Sequence, residues 1–219
     1  MQSDSSLQRI RVNFNVTEEI ERFVYLYIIM TRDIHIIDTG VAGTEKIIAD
    51  YLKSVGRSIS DVKSVLLTHS HPDHIGSAFV IKEFSNCTVY APKEEISWIE
   101  NIDKQFSERP IPNFYTLLNR SVSVDKALKG NDIITLEDGL TIKAIDTKGH
   151  SAGSLSFLWL EQGELFTGDS IPVPGDIPIY VSAKDSIETL KKLLALDDVK
   201  RYLPSWDDIY DKKNRRGKD

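Results

Sequence analysis

The chain has 219 residues, 41% hydrophobic and 27% charged, with a formal net charge of −6. Those proportions are those of an ordinary soluble globular protein with enough residues for a packed core. An acidic surface repels phosphate backbones, which argues against nucleic acid as a partner. The single cysteine, Cys87, excludes an intramolecular disulfide, so the fold does not depend on an oxidising compartment.

The N-terminal stretch Met1–Ile10 is polar and lacks the apolar core of a secretory signal. The longest apolar run, Phe23–Met30, is too short to span a bilayer, so a cytoplasmic protein with no membrane partner is expected. The basic run Lys212, Lys213, Arg215, Arg216 and Lys218 reads as a solvated tail. Residues 1–8 and 211–219 are expected to fray. No Gly/Ser-rich linker or low-complexity segment divides the chain, so 1–219 is read as one domain.

In chain order, Arg9–Phe14, Arg22–Met30 and Asp33–Asp38 are rich in β-branched and aromatic residues and predict strands. Thr44–Val55 carries Ile47, Ile48, Tyr51, Leu52 and Val55 at helical spacing, with Gly56 as the stop. Lys63–Leu67 predicts a short strand that gives way at Thr68 to a polar loop, and Asp73–Phe84 predicts a helix. Thr88–Ala91 reads as a buried strand, which makes Cys87 a core thiol. The stretch 92–129 is partly helical over Lys93–Ile102 and then irregular, with Pro110 and Pro112. So long an excursion in a compact domain is usually functional. Asp132–Leu136 and Leu140–Asp146 flank the turn signal Asp138-Gly139. Leu155–Leu160 and Leu165–Thr167 follow, on either side of Gln162-Gly163. Ser186–Leu196 predicts a helix with Asp185 and Glu188 as a capping box. Lys200–Leu203 predicts a last strand stopped by Pro204. This order suits mixed sheets with outer helices better than a strictly alternating parallel sheet.

The chemistry concentrates in Thr68-His69-Ser70-His71-Pro72-Asp73-His74. Imidazole and carboxylate are the ligands that zinc and iron accept. The run begins where a strand ends and a helix starts, the usual place for a site in a sheet protein. Pro72 restricts the loop, which helps to hold several ligands in place. His150, in Gly149-His150-Ser151, and Asp169, in Gly168-Asp169-Ser170, also follow strands and sit beside glycines. Ile34 and Ile36 flank His35 in a strand. Its side chain therefore faces the other way, on the surface or in a second layer around the site.

The T-H-S-H-P-D-H-I-G run, the G-H-S-A-G-S segment and the T-G-D-S segment, in this order, resemble the metallo-β-lactamase superfamily over residues 20 to 208. Ile37-Asp38-Thr39-Gly40 resembles that family's early motif, whose aspartate supports the loops around the site. The resemblance implies an α/β (α+β) fold: a four-layer αββα sandwich of two mixed β-sheets flanked by helices. It implies His69, His71 and His150 on a first metal, Asp73 and His74 on a second, and Asp169 bridging them. The ions would be zinc, one or two of them, with iron or manganese as alternatives. The family's last histidine is missing. Leu203-Pro204-Ser205-Trp206-Asp207-Asp208 has Trp206 at that place, whose indole N–H cannot ligate. Asp207, one residue on, is a candidate oxygen ligand; otherwise water completes the second site or it stays empty.

The resemblance implies a glyoxalase-II-like hydrolase acting on a small-molecule ester, thioester or lactone. Metal-activated water would be the nucleophile, and Asp73 would orient it or ligate the second ion. Trp98, Phe114 and Tyr115 are candidate apolar walls of the pocket, with Arg109 or Arg120 to meet a carboxylate. Two alternatives share the ligand set: a mononuclear iron oxidoreductase resembling the persulfide dioxygenases, and a non-catalytic metal-binding protein. Gly149-His150-Ser151-Ala152-Gly153 also matches a serine nucleophile elbow, but that motif needs a later histidine, and His150 is the last. The sequence does not disclose the oligomeric state.

Overall fold

A computed structural model describes residues 6–212 and divides the chain into two compact units. The first comprises the chain up to Ala91 and Glu95–Ala127. Its strands are β1 (Leu7–Asn15), β2 (Glu21–Met30), β3 (Ile34–Ile37), β4 (Val62–Leu66) and β5 (Thr88–Pro92), and β6 (Lys126–Leu128) completes a sheet in the order β1-β2-β3-β4-β5-β6. β1, β2 and β3 pair antiparallel, whereas β3, β4 and β5 run parallel. The sheet is therefore mixed.

Strand sequence follows exposure. In β1, Ile10, Val12 and Phe14 are buried and alternate with outward Arg11 and Asn13. On the outward face the Arg9 guanidinium lies 4.1 Å from the Tyr25 ring centre and that of Arg11 4.1 Å from that of Phe23. β3, antiparallel to β2 and parallel to β4, is buried at every position, as expected of an interior strand covered on both faces. Cys87 is buried, and burial pushes its thiol pKa up, which keeps it protonated and unreactive.

The first unit also holds α1 (Thr44–Ser54), α2 (Pro72–Ile75), α3 (Ala78–Ser85), α4 (Ile96–Ile99), α5 (Ile102–Glu108) and α6 (Phe114–Leu117). The single helix expected over Asp73–Phe84 is two helices, α2 and α3. The Gly76 N–H donates to the Gly40 carbonyl at 2.8 Å instead of continuing the turn. The Ser77 hydroxyl donates to the Val41 carbonyl at 2.8 Å. A Cβ on Gly76 would lie 2.3 Å from the Ala42 nitrogen, so only glycine permits this approach.

The second unit comprises Pro92–Glu94 and the chain from Leu128. Its strands are β7 (Ile133–Glu137), β8 (Leu140–Asp146), β9 (Leu155–Trp159), β10 (Glu164–Gly168), β11 (Arg201–Pro204) and β12 (Tyr210–Asp211), in the spatial order β12-β11-β10-β9-β8-β7. All pairs are antiparallel except β10 with β11, whose connection runs through α7 (Ala183–Ala195). Ile145, Leu158, Leu165, Ile171, Leu193, Val199 and Tyr202 form the core. The helix begins three residues earlier than its sequence pattern suggests. The Ser182 hydroxyl accepts the Asp185 N–H at 3.2 Å, so the cap is Ser182 and not Asp185. β6 and β12 are too short to carry a strand signal. Leu7, Gln8 and Asp211, expected to fray, are paired in strands. Most of the basic C-terminal run, from Lys213, lies outside the described residues. No helix among the described residues is long and apolar enough to cross a membrane.

His35 is not at the surface. It is buried, with Nδ1 2.8 Å from the Ser64 hydroxyl on the neighbouring strand. Burial lowers its pKa from 6.5 to about 4. The unfolded chain then binds a proton below pH 6.5 that the folded chain does not. His35's neutral form therefore supports the fold fully above that pH, and the contribution is lost as pH falls towards 4. The loss amounts to about 3 kcal/mol. We predict that the unfolding free energy of the native chain drops by about that much more than that of His35→Asn between pH 7 and 4. Parallel pH profiles from urea unfolding would refute it.

Candidate metal centre

In the first unit the donor residues follow β4. Leu67 keeps the sheet bond, its N–H donating to the Tyr90 carbonyl at 2.9 Å, and the chain then leaves the sheet. Asp38 ends β3 in the left-handed conformation, φ 58°, which Asp tolerates better than most residues. Its buried carboxylate takes three hydrogen bonds. Oδ1 accepts the Thr68 N–H at 2.8 Å, and Oδ2 meets both the Thr68 hydroxyl and His74 Nδ1 at 2.8 Å. The Thr39 N–H donates to the His74 carbonyl at 2.7 Å.

These bonds set the tautomers. A carboxylate only accepts, so His74 carries its proton on Nδ1 and directs the Nε2 lone pair elsewhere. The Thr68 hydroxyl proton goes to Asp38. Its oxygen must therefore accept from His69 Nδ1, 2.9 Å away, which puts the His69 lone pair on Nε2 as well. Buried His69, His71 and His74 are gathered, with ring centres 4.5 Å apart for His69 and His71 and 4.1 Å for His69 and His74. Asp73 joins them, Oδ2 lying 3.5 Å from His74 Nε2.

Two further residues hold this loop. The buried Ser70 hydroxyl donates to Glu95 Oε2, and the Gln105 amide donates to the Ser70 carbonyl at 2.7 Å. Sequence reading missed both, because a lone Glu and a lone Gln in a helical stretch carry no spacing signal. The aromatic residues proposed as pocket walls are engaged within the first unit. Trp98 Nε1 donates to Glu108 at 2.7 Å, the Tyr115 hydroxyl donates to Asp103 at 2.9 Å, and Phe114 is buried beside Phe106. Arg120 lies over the Phe79 ring, 4.8 Å from its centre. From this excursion, Asn113, Thr116 and Leu117 instead line an open cleft with Phe14, Thr17 and Val41.

In the second unit, His150 follows β8 on a loop closed by the Thr147 N–H donating to the Ser154 carbonyl at 3.0 Å. Gly149 has φ 131°, and a Cβ there would lie 2.4 Å from the Ser186 nitrogen, so glycine is required where α7 passes the loop. His150 Nδ1 lies 2.8 Å from the Ile179 carbonyl, a pure acceptor, so the proton is on Nδ1. Nε2 then faces Asp169 Oδ2 at 3.2 Å, lone pair towards lone pair. Asp169 follows β10, and the Ser205 N–H donates to the Gly168 carbonyl at 3.1 Å, which brings the chain leading to Trp206 alongside. Asp207 Oδ1 accepts the Asp208 N–H at 2.7 Å. Groupings of metal-ligating side chains among the described residues do not include Asp207.

In each unit an imidazole Nε2 confronts a carboxylate oxygen while Nδ1 is committed to an acceptor. Two facing acceptors repel unless a cation lies near both or the imidazole is protonated. Neutral imidazoles oriented through Nδ1, together with carboxylates, make a donor set that fits a divalent metal. These His and Asp clusters could bind metal.

The family model described as "Metallo-beta-lactamase superfamily" matches residues 22–206. A probable metallo-hydrolase of Methanocaldococcus jannaschii is 25% identical over 195 residues, 85% of this chain and 88% of that protein. The hydroxyacylglutathione hydrolase GloC of Haemophilus influenzae is 29% identical over 145 residues, 63% of this chain and 65% of GloC. The alignments span only 49% to 65% of the hydroxyacylglutathione hydrolases of Hyphomonas neptunium, Chelativorans and Haemophilus influenzae. Among solved structures, a metallo-beta-lactamase family protein of Thermus thermophilus superposes with a TM-score of 0.79 at 19% identity, covering 96% of this chain and 76% of that one. With two mixed sheets and flanking helices, and a family match over most of its length, the chain belongs to the metallo-β-lactamase superfamily.

Proposed function

We propose that the chain is a metal-dependent hydrolase that cleaves an ester, thioester or lactone. The observation that carries this is the pair of facing acceptor contacts, His74 with Asp73 and His150 with Asp169, in which every imidazole is aimed by a bond at Nδ1. In this reading, which the family resemblance implies, His69, His71, His150 and Asp169 would hold one ion, and Asp73, His74 and Asp169 would hold a second. Zinc is the expected metal, with iron or manganese as alternatives. Such ions would lower the pKa of a water to about 7 and draw charge from the acyl carbonyl. Asp73 orients the attacking water. The water oxygen bonds to the acyl carbon, the C–S or C–O bond breaks, and a proton ends on the leaving thiolate or alkoxide. The hydroxyacylglutathione hydrolases among the relatives support an acyl substrate.

Asp38 is a positioning residue: directly for His74 and through Thr68 for His69, it holds Nε2 as the ligand atom. Outer partners of this kind typically contribute 10- to 100-fold in metal affinity. We predict that Asp38→Ala weakens zinc binding by about that range, measured by competition with a chelating dye. His71→Ala and His150→Ala should purify with sharply reduced metal by elemental analysis. Unchanged metal content would contradict the ligand assignment. Thioester cleavage without oxygen uptake is the expected activity; iron-dependent oxygen consumption on a persulfide, with no acyl cleavage, would overturn it.

The second set has one histidine against three in the first, and Trp206 stands where the family's last histidine is expected. Zinc titration should therefore show two unequal steps. Trp206→His should tighten the weaker step about tenfold or more, a gain of at least 1.4 kcal/mol; an unaltered weaker step would refute the role of that position.

A further inference from the structure

The segment between Ile171 and Ser182 has a composition that the hydrolase reading does not explain. Its sequence is Ile-Pro-Val-Pro-Gly-Asp-Ile-Pro-Ile-Tyr-Val-Ser. Both ends are anchored: Ile171 is buried in the second unit's core, and Ser182 caps α7. The Val181 and Ser182 N–H groups both donate to the Gly149 carbonyl, at 2.7 and 3.1 Å. Between these anchors most side chains are apolar and exposed. Ile177 is 86% exposed, Ile179 62%, Val181 64% and Tyr180 47%. A contiguous set of exposed apolar side chains marks a binding surface.

The strap is stiff. Pro172, Pro174 and Pro178 fix three backbone angles. Val173 to Asp176 forms a turn closed by the Asp176 N–H donating to the Val173 carbonyl at 3.2 Å, with Pro174 and Gly175 (φ 84°) at its centre. A surface ordered before its ligand arrives loses little freedom on binding. It is also one hydrogen bond from the proposed centre, because the Ile179 carbonyl is the group that orients His150. From Ile171 to Ser182 the only charged side chain is Asp176, and there is no cation.

We propose that this strap binds the acyl part of the substrate, and that the ester or thioester carries a neutral alkyl or aryl acyl group. The inference rests on the hydrolase reading and narrows it. An acyl group bearing a carboxylate would find no counter-charge on a cation-free strap that itself carries one carboxylate. The strap presents Ile177, Ile179 and Val181 beside the segment that carries His150, so an apolar chain attached to the scissile carbonyl has an apolar surface to cover. Each methylene moved from water onto such a surface is worth about threefold to fourfold in affinity.

The test uses the zinc-loaded protein and a series of straight-chain methyl ketones, which resist hydrolysis, from butanone to dodecanone. Calorimetry should show affinity rising about threefold per methylene until the strap is covered. In Ile177→Ser/Val181→Ser that slope should flatten, while zinc content and the unfolding midpoint stay at their native values. A flat series in the native protein, or an equal slope in the variant, overturns the proposal. So does a native dimer that dissociates in the variant while ketone affinity is flat, because a second copy then covers the strap. A parallel series of acyl thioesters reports on the reaction itself. kcat/KM should climb with acyl length and exceed that for thioesters of the same thiol whose acyl chain ends in a carboxylate; a preference for the latter overturns the substrate class. A clear ketone slope with no ester, thioester or lactone cleaved under zinc, iron or manganese would sustain the apolar site and overturn the hydrolase reading alone.

Discussion

One buried carboxylate organises the donor loop of the first unit. Asp38 sits at the end of β3 in a backbone conformation that few side chains accept, and it takes bonds from the chain after β4 and from α2. A buried carboxylate is costly to desolvate unless several donors surround it. Here the Thr68 N–H, the Thr68 hydroxyl and His74 Nδ1 supply them, so the three segments are stable only together. The same bonds decide which nitrogen of His69 and His74 keeps its lone pair. Structural support and ligand chemistry are thus one interaction. His150 in the second unit obtains its orientation in another way, from a backbone carbonyl on a surface segment. The nitrogens proposed to face a metal are set by neighbours outside the proposed ligand set.

Most of this was legible in the sequence. β-Branched and aromatic content placed β1 and β2 to within two residues at each end, and in β1 buried and outward residues also alternate. The histidine run, His150 and Asp169 announced themselves through residue type and position after strands. Asp38 was legible only through the family resemblance of Ile37-Asp38-Thr39-Gly40, since an aspartate at a strand end is otherwise an ordinary turn residue. What could not be read depends on contacts distant in sequence. The break between α2 and α3 comes from Gly76 bonding to Gly40, and no local preference encodes that. Glu95 and Gln105 act on Ser70 across 25 and 35 residues.

For His35 the alternation argument left the surface and a second layer open, and the structure excludes the surface for a related reason. Facing away from Ile34 and Ile36 implies exposure only when one side of the sheet meets water. β3 lies between β2 and β4, and all four of its residues are buried. The side chain is accommodated because Ser64, its partner in register on β4, offers a hydroxyl to the imidazole. The stretch 92–129 is another case where composition was informative and its detail was not. It is an excursion with short helices, yet its aromatic residues serve mainly its own packing. Its contribution to the histidine loop comes through two polar side chains.

The cation–aromatic pairs on the outward face of β1 bear on how the chain behaves at high concentration. β1 is nine residues long and terminates its sheet, so its lateral backbone groups form a template on which another chain could extend the ladder. Arg9 and Arg11 are held over Tyr25 and Phe23 of β2, which fixes two positive charges on the sheet face beside that border. A second copy pairing its β1 antiparallel about Ile10 would set Arg9 against Arg11, and like charges facing across strands are unfavourable. The rim of the sheet thus discourages fibrous self-association by charge, a protection that high salt would weaken.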